Sequence, residues 1–437
     1  MSFKGSSRAT ALTGMTGFMI SVQLEVDGEW WLSVQTTADV VGCAGCGTRA
    51  VGHGRRRVKI RDLPVSGRPV VLVWSKRIWR CPDGDCETKT WTEVSELIDA
   101  GGLLTVRADA EICRLVGADD LSVAGAARRF GISWAAVMAT LERHGRPLVD
   151  DPDRVGTTTA ALGVDETTFL HAGPKRRTEY ITGMVDLHRG LLIDVVEGRS
   201  GRVVTDWLEG QPASFRDGIS VAAIDAFRGS ANALSATLPA ATLVMDCFHA
   251  VALANRTVDK VRRRVQTETL GHRGRRDDPA YKIRRLALVD AERLHEKGWQ
   301  RLITGIEAGD PTGHLGASWI AKKELRRVYA AKNPHAARMA LTRFYLHYAE
   351  HAQVPEVLTL AKAVSAWEAQ ILAYHDTDGA SNGPTEAVNL FIEKVRRIGH
   401  GFRSFSNYRL RLLLACGLRW NTPRVARIRG RQPRSVA

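Results

Sequence analysis

No stretch of this chain approaches the roughly 20 consecutive apolar residues that a membrane-spanning helix needs. The first residues, MSFKGSSRATALTGMTGF, lack the compact apolar segment of a secretory signal. A cytoplasmic, nucleoid-associated protein without a membrane partner is therefore expected. Cysteine is scarce and unevenly spread, seven in 437 residues, which argues against a disulfide framework. Acidic residues fall short of basic ones, 47 Asp and Glu against 62 Lys and Arg, for a formal charge of +15. Such an excess favours a polyanionic partner, and nucleic acid is the first candidate. No internal repeat is apparent.

The chain is long enough for two to four domains, each with its own core. Its 44% hydrophobic and 25% charged residues are those of an ordinary globular protein. Around Asp27-Gly28, residues 22–34 alternate apolar and polar, so they read as a hairpin. Val70 to Trp74 reads as another strand, after a basic stretch at Arg55–Arg57. Four of the cysteines fall in two close pairs, Cys43/Cys46 and Cys81/Cys86, beside these strands. Each pair suits a tight turn, so all four thiolates can face one tetrahedral zinc. Four thiolates leave no open position for a substrate, so the role is structural. His53 is a less plausible replacement ligand. The bland alternative is two pairs of buried or free cysteines.

Residues 102–146 are helical in pattern. Small residues at Ala126 and Ala127, a turn at Gly131, a cap at Ser133, and Trp134, Val137 and Leu141 at helical spacing resemble a helix-turn-helix. Its second helix would enter the major groove, with Arg128, Arg129, Ser133 and Trp134 as DNA-binding residues. An ordinary helical hairpin is the alternative. Asp150–Thr157 reads as a linker.

Beyond it, strand-like runs at 161–169, 178–187 and 190–197 precede a helix at 202–208 and a strand ending at Asp225. A helix at 230–238 and a strand running into Asp246 follow. Three strands, a helix, a strand, a helix and a strand is the order of a ribonuclease-H-like α/β domain, whose covered central strands show continuous apolar runs. From about 250 to 375 the chain turns helical and basic, with a mobile loop expected at 272–279. The expected domains are a zinc ribbon at 1–100 and a helix-turn-helix at 101–149. A catalytic core split into 158–249 and 376–418 follows, with a helical basic insertion at 250–375 between its halves and a basic tail at 419–437.

Three acidic residues have contexts that suit metal-binding carboxylates. Asp165 closes the apolar run Ala161–Val164, Asp225 closes Val221–Ile224, and Glu386 lies just inside a helix start at Ser381–Thr385. Two strand-end aspartates and a late helical glutamate suit two-metal phosphoryl transfer, in which divalent ions roughly 3.5–4 Å apart stabilise the attacking and leaving oxygens. Magnesium, or manganese, prefers such hard oxygen ligands. Each acid has a rival reading. Glu166 could be the ligand in place of Asp165. Asp246 also ends an apolar strand and competes with Asp225. Glu386 could be an ordinary first-turn acid, favoured there by the helix dipole. Asn382 and Pro384 suit that helix start, and Val388, Phe391, Val395 and Ile398 would mark its buried stripe. Asp246 and His249 lie one turn apart and could steady the site, or His249 could be a buried core histidine. Asn389 could position Glu386. Lys394, Arg396 and Arg397 read as phosphate contacts or as a solvated basic face.

Together the cysteine pairs, the helix-turn-helix and the three acidic contexts resemble bacterial insertion-sequence transposases of the ISL-three family, over roughly residues 40–415. The most specific segments are Gly163–Thr167, Asp246–His249 and Asn382–Asn389, with Lys394–Phe402, Arg409 and Arg411 in support. The resemblance implies a DDE triad of Asp165, Asp225 and Glu386, binding of double-stranded DNA at terminal inverted repeats, cleavage, and joining to a target. Two DNA ends must meet, so a homodimer or larger oligomer is expected. The alternative is a regulator derived from a transposase that binds DNA without cutting it. A nuclease that cuts without joining is a further one.

Overall fold

The computed structural model describes residues 14–15, 17–37, 40–154, 159–174 and 176–421. The chain forms two compact units, Met1–Arg154 with Lys394–Ala437, and Val155–Glu393. The expected tail beyond residue 421, and residues 155–157 of the expected linker, lie outside the described residues.

The first unit opens with a hairpin of β1 (Phe18–Val26) and β2 (Glu29–Thr36), antiparallel as expected. Asp27 and Gly28 both have positive φ, 50° and 79°, the two-residue turn whose twist matches a hairpin. A second hairpin joins β3 (Val51–Val65) to β4 (Arg68–Arg80), and β5 (Thr90–Thr92) adds to β4. The strand order is β1-β2-β4-β3. Leu32, Val34, Ile60, Leu72 and Trp74 pack with Phe18 into its core. The sequence pattern marked only residues 70–74 as a strand in this region. The length of β3 was hidden because Gly52, Gly54 and Arg55–Arg57 break the alternation. That half is exposed and held by backbone pairing to β4.

Helices α1 (Val106–Gly117), α2 (Val123–Phe130), α3 (Trp134–Thr140) and α4 (Arg146–Asp150) follow. Ser122 and Ser133 cap α2 and α3 by accepting the N–H of Gly125 and Ala136. Gly131 ends α2 at φ 65°, a left-handed turn that favours glycine. Phe130, Val137 and Leu141 are fully buried, whereas Trp134 is 53% exposed and takes no part in that core. Pro152–Arg154 forms a short 3-10 turn inside the segment expected to be a linker.

The second unit is built on a five-stranded sheet. Its strands are β6 (Ala161–Leu170), β7 (Glu179–Asp186), β8 (Leu191–Glu197), β9 (Val221–Ile224) and β10 (Thr242–Met245), in the order β10-β9-β6-β7-β8. β6, β7 and β8 are antiparallel neighbours; β9 runs parallel to β6, and β10 parallel to β9. Helices α5 (Gly201–Glu209) and α6 (Ala213–Asp217) lie between β8 and β9, and α7 (Arg228–Thr237) between β9 and β10. Leu162, Val164, Ala222, Ile224 and Met245 are all nearly inaccessible, which explains their continuous apolar runs.

After β10 the unit is helical: α8 (Cys247–Leu270), α9 (Pro279–Lys282), α10 (Glu296–Gly309), α11 (His314–Tyr329), α12 (Pro334–Glu350), α13 (Pro355–Ala366) and α14 (Glu368–Asp376). One hydrophobic core runs from the sheet into these helices. Within it Lys322 is 2% exposed, and its ammonium donates to the carbonyls of Ala287 and Val289 at 3.0 Å each. α15 (Gly383–Ile398) begins in this unit. Its buried stripe is Val388, Ile392 and Val395; Phe391, expected in that stripe, is 47% exposed. α16 (Phe405–Cys416) belongs to the first unit, where Arg411 donates to the Val116 carbonyl of α1 at 2.5 Å. No helix among the described residues is long and apolar enough to cross a membrane.

Candidate active site

Sheet register brings the first two aspartates level. β6 and β9 pair in parallel with Gly163 opposite Ala223, so two residues further on Asp165 stands beside Asp225. Asp165 lies within β6, not at its end as the apolar run suggested. Pairing with β9 stops at Gly163, while pairing with β7 continues to Leu170. The β9 side of Asp165 is therefore open. Asp165, Glu166 and Asp225 each offer an oxygen within 4.8 Å of the others. Glu166, weighed from sequence as a rival to Asp165, thus stands with it.

Glu386 arrives on the first turn of α15. That helix start lies hard against β6. A Cβ added to Gly163 would meet Thr385 Oγ1 at 2.1 Å and Asn382 Oδ1 at 2.9 Å. Only a glycine allows this approach, and neither Gly163 nor the buried Asn382 and Thr385 announced it in the sequence. His249, on the first turn of α8, spans the two remaining carboxylates: its Nε2 is 2.6 Å from Asp225 Oδ1 and 3.3 Å from Glu386 Oε1. This is not the environment of a bland core histidine.

Hydrogen bonds fix the central acid. Asn389 Nδ2 donates to Asp165 Oδ2 at 2.6 Å, and the Glu166 N–H donates to Asp165 Oδ1 at 2.8 Å. The sequence suggested that Asn389 would position Glu386; its partner is Asp165. Ser230 Oγ donates to Glu166 Oε1 at 3.0 Å, a contact that no sequence pattern indicated. Asp246 precedes α8 at the N-cap position, without a side-chain capping hydrogen bond, and is 5% exposed. Backbone N–H groups of Phe248, Cys247 and Asn382 favour its charge against burial, which raises its pKa. It stands outside the Asp165–Glu166–Asp225 group.

The electrostatics suit a bound cation. Burial, then the charges of Asp225 and Glu386, push the Asp165 carboxyl up to about 7, against the Glu166 N–H and His249. Glu166 is raised by burial and by Asp225, with Ser230 opposing. Burial disfavours a charged His249, yet contact with Asp225 and the charges of Asp165 and Glu386 outweigh it and raise its pKa. Oxygen donors crowded until they resist ionisation are relieved by a hard divalent ion.

The four cysteines also meet as their spacing suggested. Cys43 and Cys86 Sγ are 3.7 Å apart, and Cys46 and Cys81 Sγ 3.5 Å. A zinc with bonds of about 2.3 Å needs tetrahedral edges of roughly 3.8 Å, so the set fits that ion. Burial opposes ionisation of Cys43, but the N–H groups of Cys46 and Gly45 outweigh it and bring the thiol to about 7. Cys81, buried beside the other thiols, is pushed up to about 12. A bound cation lifts that mutual repulsion. His53 is exposed on β3 and is not in the group.

Arg128, Arg129, Ser133 and Trp134 are all exposed in the first unit. Arg128 and Trp134 line a cleft of about 470 Å³ with His400, Phe402 and Arg403. Lys394 and Arg397 are exposed, Arg396 is half-buried, and Lys394 contacts Asp120.

A family model described as an ISL3-type DDE transposase matches residues 162–412, more than half of the chain. The chain belongs to the ISL3 transposase family. A second model, the zinc finger of the transposases of IS204, IS1001, IS1096 and IS1165, matches residues 39–86 of this transposase and so covers all four cysteines. The transposase for insertion sequence element IS1001 of Bordetella parapertussis is 27% identical over 391 residues, 87% of this chain and 90% of that protein. The transposase for insertion sequence element IS1557 of Mycobacterium tuberculosis is 28% identical over 293 residues, 62% of this chain and 63% of that protein. Membership in this family implies an enzyme that acts on DNA.

Proposed function

We propose that this transposase binds the terminal inverted repeats of its own insertion sequence, cleaves the DNA there and joins the freed end to a target. The observation that carries the reading is the grouping of Asp165 with Asp225, and the link through His249 from Asp225 to Glu386 on a distant helix. The sheet order, three antiparallel strands followed by two parallel ones, supports a ribonuclease-H-like core split into 158–249 and 376–418 around the helical insertion at 250–375.

Asp165, Asp225 and Glu386 would hold divalent magnesium or manganese, with Glu166 in reach of the first two. Bound there, the ions supply Lewis-acid charge at the attacking and leaving oxygens of a phosphate. Asn389 and the Glu166 N–H each fix one Asp165 oxygen, so the carboxylate keeps one orientation through both reactions. His249 holds Asp225 and Glu386 at a set separation. In the first displacement a water oxygen bonds to phosphorus and gives up a proton to solvent, while the P–O3′ bond breaks and the leaving O3′ takes up a proton from solvent. The freed 3′ hydroxyl then loses its proton and bonds to a target phosphorus, while the target's own P–O3′ bond breaks and that O3′ leaves protonated. Neither step needs a Ser, Tyr or Cys nucleophile.

The first unit would find the element ends. Structural zinc on the four cysteines would hold the ribbon at 1–100. The helix pair α2–α3, within 101–149, would act as a helix-turn-helix, with Arg128, Arg129, Ser133 and Trp134 on DNA and Lys394, Arg396 and Arg397 on phosphate. Two ends must be brought together, so the working form is at least a dimer.

The test uses wild-type protein, a labelled duplex carrying one element end, and a supercoiled plasmid. Joined plasmid–oligonucleotide product is expected in magnesium. Cleavage without joining would reduce the reading to a nuclease. Tight end binding with neither product, in magnesium or manganese, would leave a DNA-binding regulator.

A further inference from the structure

We infer that the outer face of α8 is a phosphate track, holding the DNA backbone beside the scissile position. This deepens the proposed function and rests on its reading of the carboxylate site. α8 starts at that site with His249 and runs 24 residues, Cys247–Leu270. At 3.6 residues per turn, His249, Arg256, Lys260, Arg263 and Thr267 lie within about 60° of one another. Arg256, Lys260, Arg263 and Thr267 are exposed, while Val258, Val261 and Val265 turn to the core. The helix rises about 1.5 Å per residue, so Arg256 is roughly 10 Å along the axis from His249 and Arg263 roughly 21 Å.

The following segment widens the ridge into a basic cradle. Arg256, Arg263, Arg273, Arg284 and Arg285 line a depression of about 610 Å³. Its floor is fixed: the Arg284 guanidinium lies 4.0 Å over the Tyr281 ring and donates to the Tyr281 carbonyl at 2.9 Å, with Arg262 5.9 Å from the same ring. Arg262, 5% exposed, is held by Asp259 and Gln266 at 2.6 Å each. From residue 255 to 288 the chain has eleven Lys and Arg against four Asp and Glu. Asp259 is already engaged by Arg262 and Arg263, and Arg256, Lys260, Arg273 and Arg285 make no ion pair among the described residues. A solvated helix usually interleaves opposite charges at i,i+4; on this face, among the described residues, only Arg263 has such a partner, Asp259.

The spacing selects the ligand. A free phosphate would engage one or two cations. Duplex DNA presents a charge every ~1.7 Å of axis, about six between the levels of Arg256 and Arg263. A continuous polyanion that begins at the carboxylates matches a ridge that begins there too.

The experiment uses the full chain and a 40-bp duplex containing the element end and its flank, in calcium so that cleavage does not intervene. Arg256→Gln/Lys260→Gln/Arg285→Gln removes three exposed cations. The slope of log affinity against log salt should flatten by about 2.7, which makes the affinity loss between 50 and 200 mM salt about 40-fold smaller. Hydroxyl-radical protection of roughly three to six base pairs beside the cleavage position should vanish, with protection inside the repeat retained. Arg202→Gln/Arg293→Gln/Lys297→Gln, an equal charge loss at exposed sites elsewhere, should keep that protection. Unchanged slope and protection in the first variant, or equal loss in the second, would overturn the track. Cleavage by the wild type in magnesium is scored separately. Its absence would sink the functional reading, while the footprint, which needs no cleavage, still decides the track.

Discussion

Asn389 donates its side-chain N–H to Asp165 Oδ2 at 2.6 Å, across 224 residues of sequence. The bond ties the glutamate-bearing helix to the central strand at a carboxylate proposed to hold the metal. With the Glu166 N–H on the other oxygen, it leaves Asp165 one orientation.

Asn389→Leu should therefore lower cleavage about 10- to 100-fold, the usual effect of losing a group that orients a metal ligand. End binding, measured by gel shift, should be unchanged. Cleavage within twofold of wild type would show that the bond is incidental.

Gly163→Ala tests the approach of α15 to β6. The added carbon would meet Thr385 Oγ1 at 2.1 Å and Leu187 Cδ2 at 2.6 Å, so strand or helix must shift. Overpacking of this kind costs about 1–3 kcal/mol. Thermal unfolding should report that loss, and cleavage should fall further because Glu386 moves with the helix. A variant as stable and as active as wild type would contradict the packing.

Much of this arrangement was legible in the sequence, and the exceptions have causes. Apolar runs ending in aspartate marked β6 and β9, since covered strands need no alternation. The same rule could not separate Asp225 from Asp246, because both close such runs. Register separates them: Asp225 stands beside Asp165, while Asp246 lies outside that group. Local pattern is blind to contacts set by the sheet, so Ser230 and the true partner of Asn389 were invisible. Phe391 took the place of Ile392 in the expected stripe because both are apolar and one residue apart.

The zinc reading predicts one ion per chain, released by a thiol-reactive mercurial and counted with a colorimetric chelator. Cys43→Ser should lose the ion, unfold the N-terminal sheet first and weaken end recognition. A chain that binds no zinc yet melts at an unchanged temperature would exclude it.

Lys322 gives a pH signature. Burial lowers its ammonium from 10.5 to about 8. Between pH 8 and 10.5 the unfolded chain thus holds more protons than the folded one, so stability should rise with pH, by at most about 1.4 kcal/mol per unit. Below pH 8 both states are protonated and the contribution is flat. Denaturant titrations of wild type and Lys322→Met should differ in that window, with the rise missing from the variant. Parallel curves from pH 8 to 10.5 would contradict the shift.

The most direct measurement is cleavage of labelled DNA carrying the repeats that flank this gene, in magnesium and in chelator, with wild type beside Asp225→Asn and Asp246→Asn. The account predicts magnesium-dependent nicking at the repeat boundary, abolished by Asp225→Asn and retained, if weakened, by Asp246→Asn. Nicking that survives Asp225→Asn, or persists in chelator, would contradict it.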